Sequence, residues 1–442
     1  MKKYLITQNM ANGWITIEDK KARIKASSSE TREKRKSQVC RVFKVKIQRN
    51  RLSKKQKEEL KMIFVEAKWV RNYIVGLIKS GVEWSDLPII HSKTEIPVKS
   101  KDGTVENRQL KFISASQIQE VIDEVKANLK SIITNTKRKN IKHGELNFVS
   151  EVKSVGMKQY KMTYSFRGKS GMKIQGVSRK VHVNGLDQFI NEEEIEFANA
   201  KVLNQVDGYF VAITTYTPKE NFKQKTNGKS IGIDFGIKHN LTTSEEETID
   251  CSFEEPESLK KASRKMNHCK KGSNNRIRNR KKLQKCYQKL KNKRTNAANQ
   301  IVAKFKDYDK VVIQDEQLKG WHKGLFGKSV QHSCMGRIKS KLKAMPNVVI
   351  LDRFIPTTKL CMNCGKVHEI KLSDRSFKCE CDVEDDRDIH AAKTMLEIID
   401  LLKLPLEQRE VKRVEFLKVY SKKFGCEYGT MKHEDATFQG CH

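Results

Sequence analysis

No stretch of this 442-residue chain approaches the roughly 18 consecutive apolar residues that span a bilayer, and the mean hydropathy is −0.67. A membrane-spanning helix is not expected. The start, Met1-Lys2-Lys3-Tyr4-Leu5-Ile6, is basic as in a signal peptide, but Thr7, Gln8 and Asn9 interrupt it before an apolar core can form. The expectation is an intracellular protein. A disulfide framework is missing too: eleven cysteines are an odd number scattered over a long chain. Four of them crowd between 361 and 381, which suits a metal site in a reducing compartment better than disulfides. With 37% apolar and 32% charged residues, the composition lacks the bias of disorder or collagen and can bury cores for about two to four domains.

Acidic charge is far outnumbered. Lys and Arg number 89 against 53 Asp and Glu, a formal net charge of +36, with a pI of about 9.7. An excess this large attracts phosphate polymers or anionic lipid surfaces, and its commonest use in a large chain is neutralising nucleic-acid phosphates. The imbalance is steepest between Ser258 and Lys306, which holds eighteen Lys or Arg and no Asp or Glu. Leu283, Tyr287, Leu290, Ala297, Ile301 and Phe305 supply one apolar stripe, so a long helix with a cationic outer face is expected there. Lys260, Lys261, Arg264, Lys265, Lys270, Lys271, Arg276, Arg278, Arg280, Lys281, Lys282, Lys285 and Arg294 are the candidate nucleic-acid contacts.

Residues 1–39 are polar and basic without a sustained period and read as an extension. Val42 to Ile47 alternates like a half-buried strand, and Ser53 caps a helix bearing Leu60, Ile63, Phe64, Ala67, Val70 and Ile74. After a polar loop through 110, Ile118, Val121, Ile122, Val125 and Leu129 mark a second amphipathic helix. From about 144 to 218 the period changes to two, punctuated by Gly168, Gly171, Gly176 and Gly185, as in an antiparallel barrel or sandwich. Residues 219–229 read as a linker. Beyond them, Ile231 to Gly236 and Asn240 to Ser244 look like a hairpin, and Val311 to Ile313 and Val348 to Leu351 like short buried strands. A helix begins near Asp388, and the chain from about 420 reads as a polar tail.

Three carboxylates end or flank apolar elements: Asp234 in Gly-Ile-Asp-Phe-Gly, Glu316 after Val-Val-Ile-Gln-Asp, and Asp388 in Asp-Arg-Asp-Ile-His-Ala-Ala. Asp315 and Asp386 are the neighbouring acids with which they could be confused. Two strand-borne acids and one at a helix start can converge, and clustered carboxylates repel unless hard cations neutralise them. Cys361-Met362-Asn363-Cys364, fourteen residues, then Cys379-Glu380-Cys381 form two close thiolate pairs that can close a tetrahedral Zn²⁺ site, with Gly365 allowing the tight turn after the first pair. The other seven cysteines show no pairing. Gly327-Lys328-Ser329 resembles the tail of a P-loop, but position 322 is His322 and no buried strand precedes it, so nucleotide hydrolysis is rejected. Trp69 and Trp321 read as core aromatics.

The three acidic segments resemble the motifs of RuvC-like (RNase H-like) nucleases, in the form found in transposon-encoded TnpB and the miniature type V CRISPR effectors. The resemblance covers nearly the whole chain after residue 40. It includes Ala67-Lys68-Trp69 and Asn72, Glu196-Phe197-Ala198-Asn199-Ala200, Gly272-Ser273-Asn274-Asn275-Arg276, Gln314-Asp315-Glu316 followed by Trp321, and Arg409-Glu410-Val411-Lys412. It departs at His390, where the family usually has Asn, and at Asn296 and Asn299, where an Asp and a His follow the equivalent of Arg294.

The resemblance implies an α/β multidomain protein: an OB-like wedge barrel (40–52 and 141–226) interrupted by a helical recognition insertion (53–140), then an RNase H-like RuvC domain (227–356 and 384–419) with an inserted zinc finger (357–383), between a 1–39 extension and a 420–442 tail. It implies an RNA-guided DNA endonuclease with guide RNA and target double-stranded DNA as partners, no membrane, and a prokaryotic cytoplasmic, nucleoid-associated location. A second copy of the chain on the same RNA stays open. Asp234, Glu316 and Asp388 would be the catalytic acids seating two Mg²⁺, with Asp234 bridging the pair, and the four cysteines would hold one Zn²⁺. A type V effector with a repeat-derived guide and a guided repressor that does not cut are the rival readings.

Overall fold

The computed structural model describes residues 17–100, 103–139, 144–189, 194–222, 226–371, 373–403 and 409–425. Residues 1–16 of the expected extension and 426–442 of the expected tail lie outside them. The chain divides into two compact units, Met1–Phe222 and Lys223–His442. Among the described residues no helix is long and apolar enough to cross a membrane.

The first unit runs α1 (Ile17–Lys36), β1 (Gln38–Ile47), α2 (Lys54–Lys79), β2 (Glu95–Lys99), β3 (Val105–Gln109), α3 (Ala115–Lys139), β4 (Ser154–Met157), β5 (Tyr164–Arg167), β6 (Gly171–Ile174), β7 (Val181–Asn184), β8 (Glu196–Gln205) and β9 (Gly208–Pro218). Seven strands in the order β4-β8-β9-β1-β7-β6-β5 make one sheet that curls into a nearly closed barrel. The Tyr164 hydroxyl on β5 donates to the Ala198 carbonyl on β8 at 2.7 Å, linking strands near opposite ends of the sheet. Ser53 starts α2 as a capping box with Gln56, satisfying two backbone N–H groups that a helix start leaves open. Glu66 of α2 is buried and accepts the backbone N–H groups of Lys111, Phe112 and Ile113, which fixes the approach to α3.

Within the expected extension, residues 17–36 form the helix α1, and β1 already begins at Gln38. The helix was hidden because its described side chains are almost all exposed, so no apolar stripe marks it. It is held at its end, where Arg35 stacks over the Tyr216 ring at 3.5 Å and pairs with Glu196 at 2.6 Å. The polar loop expected up to residue 110 contains the β2–β3 hairpin.

The second unit comprises β10 (Ser230–Asp234), β11 (Leu241–Thr243), β12 (Thr248–Ile249), α4 (Glu257–Asn267), α5 (Asn274–Lys304), β13 (Lys310–Gln314), α6 (Leu318–Lys323), α7 (Gly327–His332), α8 (Met335–Leu342), β14 (Val348–Leu351), β15 (Ser376–Lys378), β16 (Glu384–Asp386), α9 (Arg387–Leu402), β17 (Glu410–Val411) and α10 (Arg413–Phe424). Its main sheet has the order β12-β11-β10-β13-β14-β17. The first three strands pair antiparallel, and β10, β13, β14 and β17 pair parallel. Both faces are covered. Ile231, Ile233, Val311 and Ile313 pack with Ala298, Val302, Ile338 and Leu342 of α5 and α8, whereas Val312, Val349 and Leu351 pack with Met395, Ile398, Phe416 and Tyr420 of α9 and α10. Burial on both sides explains the continuous apolar runs of β13 and β14.

Two expectations change here. Tyr287 leaves the α5 stripe, being 49% exposed. The polar tail from about 420 starts too early, because α10 runs to Phe424 and Tyr420 is buried, its hydroxyl donating to the Gly365 carbonyl.

Candidate active site and metal centre

Asp234 is the last residue of β10, so the strand pairing that buries Ile231 and Ile233 also fixes where its carboxylate lies. Glu316 follows the end of β13, the parallel neighbour of β10. Asp388 lies in the first turn of α9. What lets α9 come close is Gly232: a Cβ there would sit 2.0 Å from the Ala392 carbonyl oxygen, so the helix backbone rests against the strand where only glycine leaves room. The three acids come within electrostatic reach. Burial pushes the Asp234 carboxyl well above the usual carboxylate range, and the charges of Glu316 and Asp388 push it further. Glu316 is also raised, by burial first.

The neighbouring acids have other tasks. Asp386 is the N-cap of α9 and accepts the N–H groups of Asp388 and Ile389. Asp315 pairs with Lys343 at 2.5 Å and Lys339 at 3.3 Å, which hold it below the usual carboxylate range against the opposing effect of burial. Lys339 is 7% exposed and also donates to the Glu316 backbone carbonyl. These lysines, four apart on and just after α8, clamp the corner that carries Glu316. Sequence reasoning missed them; the signal was a pair of cations at helical spacing beside a strand-end acid. Gln314 closes the other side, reaching the carbonyls of Asp352 and Ile355 and the Thr357 hydroxyl.

The four cysteines meet. Cys361, Cys364, Cys379 and Cys381 are the group among the described residues whose ligand atoms all lie within 4.8 Å of one another. Sulfur separations are 3.5 Å for Cys361 and Cys381, 3.4 Å for Cys364 and Cys379, and 3.4 Å for Cys379 and Cys381. Four soft thiols this close fit Zn²⁺. Gly365, at φ +76°, makes the turn after the first pair, and a Cβ there would meet the Phe424 ring at 2.6 Å. His368, outside the expected ligand set, brings Nε2 to 3.2 Å from Cys379 Sγ. A hard divalent cation beside Asp234 would offset both its burial and the charges of Glu316 and Asp388 that raise it. Outside the cluster, Cys251 and Cys334 are free thiols buried in the core, as expected of unpaired cysteines.

The cationic helices differ in detail from the expectation. Lys260, Lys261, Arg264, Lys265, Lys270, Lys271, Arg278, Arg280, Lys281, Lys282 and Lys285 are exposed. Arg276 and Arg294 are half-buried: Arg276 donates to the carbonyls of Met266 and Cys269, tying α4 to α5, and Arg294 donates to the Phe253 carbonyl. Trp69 and Trp321 are partly buried and pack against the apolar cores.

The fold is mixed α/β, and its cysteine cluster fits a finger of the zinc-binding type. Residues 210–321 match the family described as probable transposase, OrfB_IS605, and residues 336–395 match the Cas12f1-like TNB domain. A Streptomyces pristinaespiralis protein named "Putative RNA-guided DNA endonuclease" is 28% identical over 178 residues, which cover 38% of this chain and 44% of that protein. The match thus spans under half of that relative's length. Together these likenesses make the chain similar to transposon-type RNA-guided nucleases.

Proposed function

We propose that the chain is an RNA-guided DNA endonuclease whose one nuclease site is built by Asp234, Glu316 and Asp388. What supports this reading is that Asp234, raised first by burial and then by the charges of Glu316 and Asp388, ends the strand where a mixed sheet passes from antiparallel to parallel pairing, an arrangement consistent with an RNase H-like, RuvC-type layer. Magnesium held by these residues would supply an activated water and stabilise the leaving oxygen of a phosphodiester. The protein's own part is to orient: β10 and β13 fix two acids, Gly232 lets α9 bring the third, and Lys339 and Lys343 turn Asp315 aside. Arg387 pairs with Asp388 at 3.3 Å and limits its rotamers.

The net charge of +36 and the exposed cations of α4 and α5 support a backbone-gripping role, with base pairing to a guide RNA supplying sequence specificity beside a short target-adjacent motif. The first unit, a barrel with inserted helices, serves as the wedge and recognition part. RNA copurified with the full chain should map to a single guide source, and the complex should cut a matched plasmid in Mg²⁺. Asp234→Ala should bind that plasmid and leave it intact. A wild-type complex that binds but never nicks would instead favour a guided repressor.

A further inference from the structure

We propose that Phe377 and His390 are positioning residues that hold the start of α9, and with it Asp388, against the four-cysteine finger, so that zinc occupancy sets the affinity of the acid site for divalent cations. This rests on the reading of Asp234, Glu316 and Asp388 as a cation site.

The route is an unbroken series of contacts. His368 Nε2 lies 3.2 Å from Cys379 Sγ, and its ring stands edge-on to Phe377 at 5.3 Å and 87°. The other side of Phe377 lies flat on His390, centroids 3.5 Å apart and planes 8° from parallel. His390 is two residues beyond Asp388 on α9. Its Nε2 is 2.9 Å from the Leu360 carbonyl; a carbonyl only accepts, so this nitrogen carries the proton. Leu360 precedes Cys361, and Phe377 lies two before Cys379, so His390 touches the finger beside a ligand from each pair. Phe377 and Leu360 are 0% exposed and His390 is 4% exposed. Interiors packed this closely transmit a displacement rather than absorb it.

A second brace runs alongside. Arg387, the ion-pair partner of Asp388, donates its backbone N–H to the Arg375 carbonyl at 2.8 Å and Nη1 to the Asp374 carbonyl at 2.9 Å. Both acceptors belong to the finger. Loosening the four thiols would therefore release both the rings and the arginine that orient Asp388.

The test is a Mn²⁺ titration of the full chain, followed by electron paramagnetic resonance, with zinc content measured on each sample. Phe377→Leu should keep its zinc yet bind Mn²⁺ about 10-fold more weakly, the lower end of what partners behind a metal ligand contribute. Zinc removal from the wild type should cause a similar loss, and removal from Phe377→Leu should add little. In cleavage, the Mg²⁺ concentration for half-maximal rate should rise while the saturated rate stays within about twofold, a split that general destabilisation would not give. Unchanged Mn²⁺ affinity after zinc removal from the wild type overturns the proposal, and that arm decides the matter if Phe377→Leu fails to retain zinc. Asp234→Ala reports separately on the reading beneath: if it leaves the Mn²⁺ site intact, the acids are not a cation site.

Discussion

At the residue scale the site turns on a carboxyl whose burial is unfavourable. A carboxyl raised in the folded state keeps its proton while the unfolded chain loses one, so stability present at low pH is lost as pH climbs through the raised value. Without metal, Asp234 therefore weakens the fold at neutral pH. Asp234→Asn should raise the melting temperature of the metal-free protein by at least roughly 2 °C, the shift expected from about 1 kcal/mol in a domain of this size, while abolishing cutting. Calorimetry with chelator present checks it, and a lower melting temperature contradicts it. Lys339→Met should free the 315–316 corner and lower the cutting rate by about 10-fold or more, with guided binding unchanged in a filter assay. The three segments stood out because each acid ends or opens an apolar element, and the resemblance chose Glu316 over Asp315 and Asp388 over Asp386. What engages the two neighbours was not legible, being distant in the chain or backbone N–H groups: Lys339 and Lys343 in one case, an N-cap in the other.

At the scale of elements, the junction of β10 and α9 is the most demanding. Gly232→Ala places a methyl on the Ala392 carbonyl, and the backbone must part to accept it. A loss of about 1–3 kcal/mol is expected, read as a lower denaturant midpoint, together with a higher Mg²⁺ requirement for cutting as Asp388 retreats; an unchanged midpoint would mean that the helix can slide freely. The α2 cap, the α5 stripe and the buried strands were readable because period and capping chemistry are local. What sequence concealed were elements lacking such a signal. Helix α1 has no apolar face, and α10 was masked by the polar residues after 420 although Phe416 and Tyr420 already sit at helical spacing against the finger.

At the scale of the whole molecule the charge excess divides into two uses. Arg276 and Arg294 hold α4, α5 and the Phe253 segment together, and the exposed cations remain for phosphate. Replacing Arg278, Lys281 and Lys285 together by Gln should lower the slope of log affinity against log salt by up to about 2.7, near 0.9 for each phosphate no longer neutralised, without moving the melting temperature. Titration of nucleic-acid binding at several salt concentrations measures the slope, and an unchanged slope would remove this face from the interface. Composition pointed to a polyanionic partner, but which cations face outward became visible only once the helices were packed. Beneath all of this lies the proposal that three acids remote in sequence seat divalent metal in one place. Anomalous diffraction from crystals soaked in Mn²⁺ is the decisive check: manganese should appear in contact with the carboxylates of Asp234, Glu316 and Asp388 and vanish in Asp234→Ala, whereas manganese bound elsewhere, with these three carboxylates bare, would refute the shared metal site.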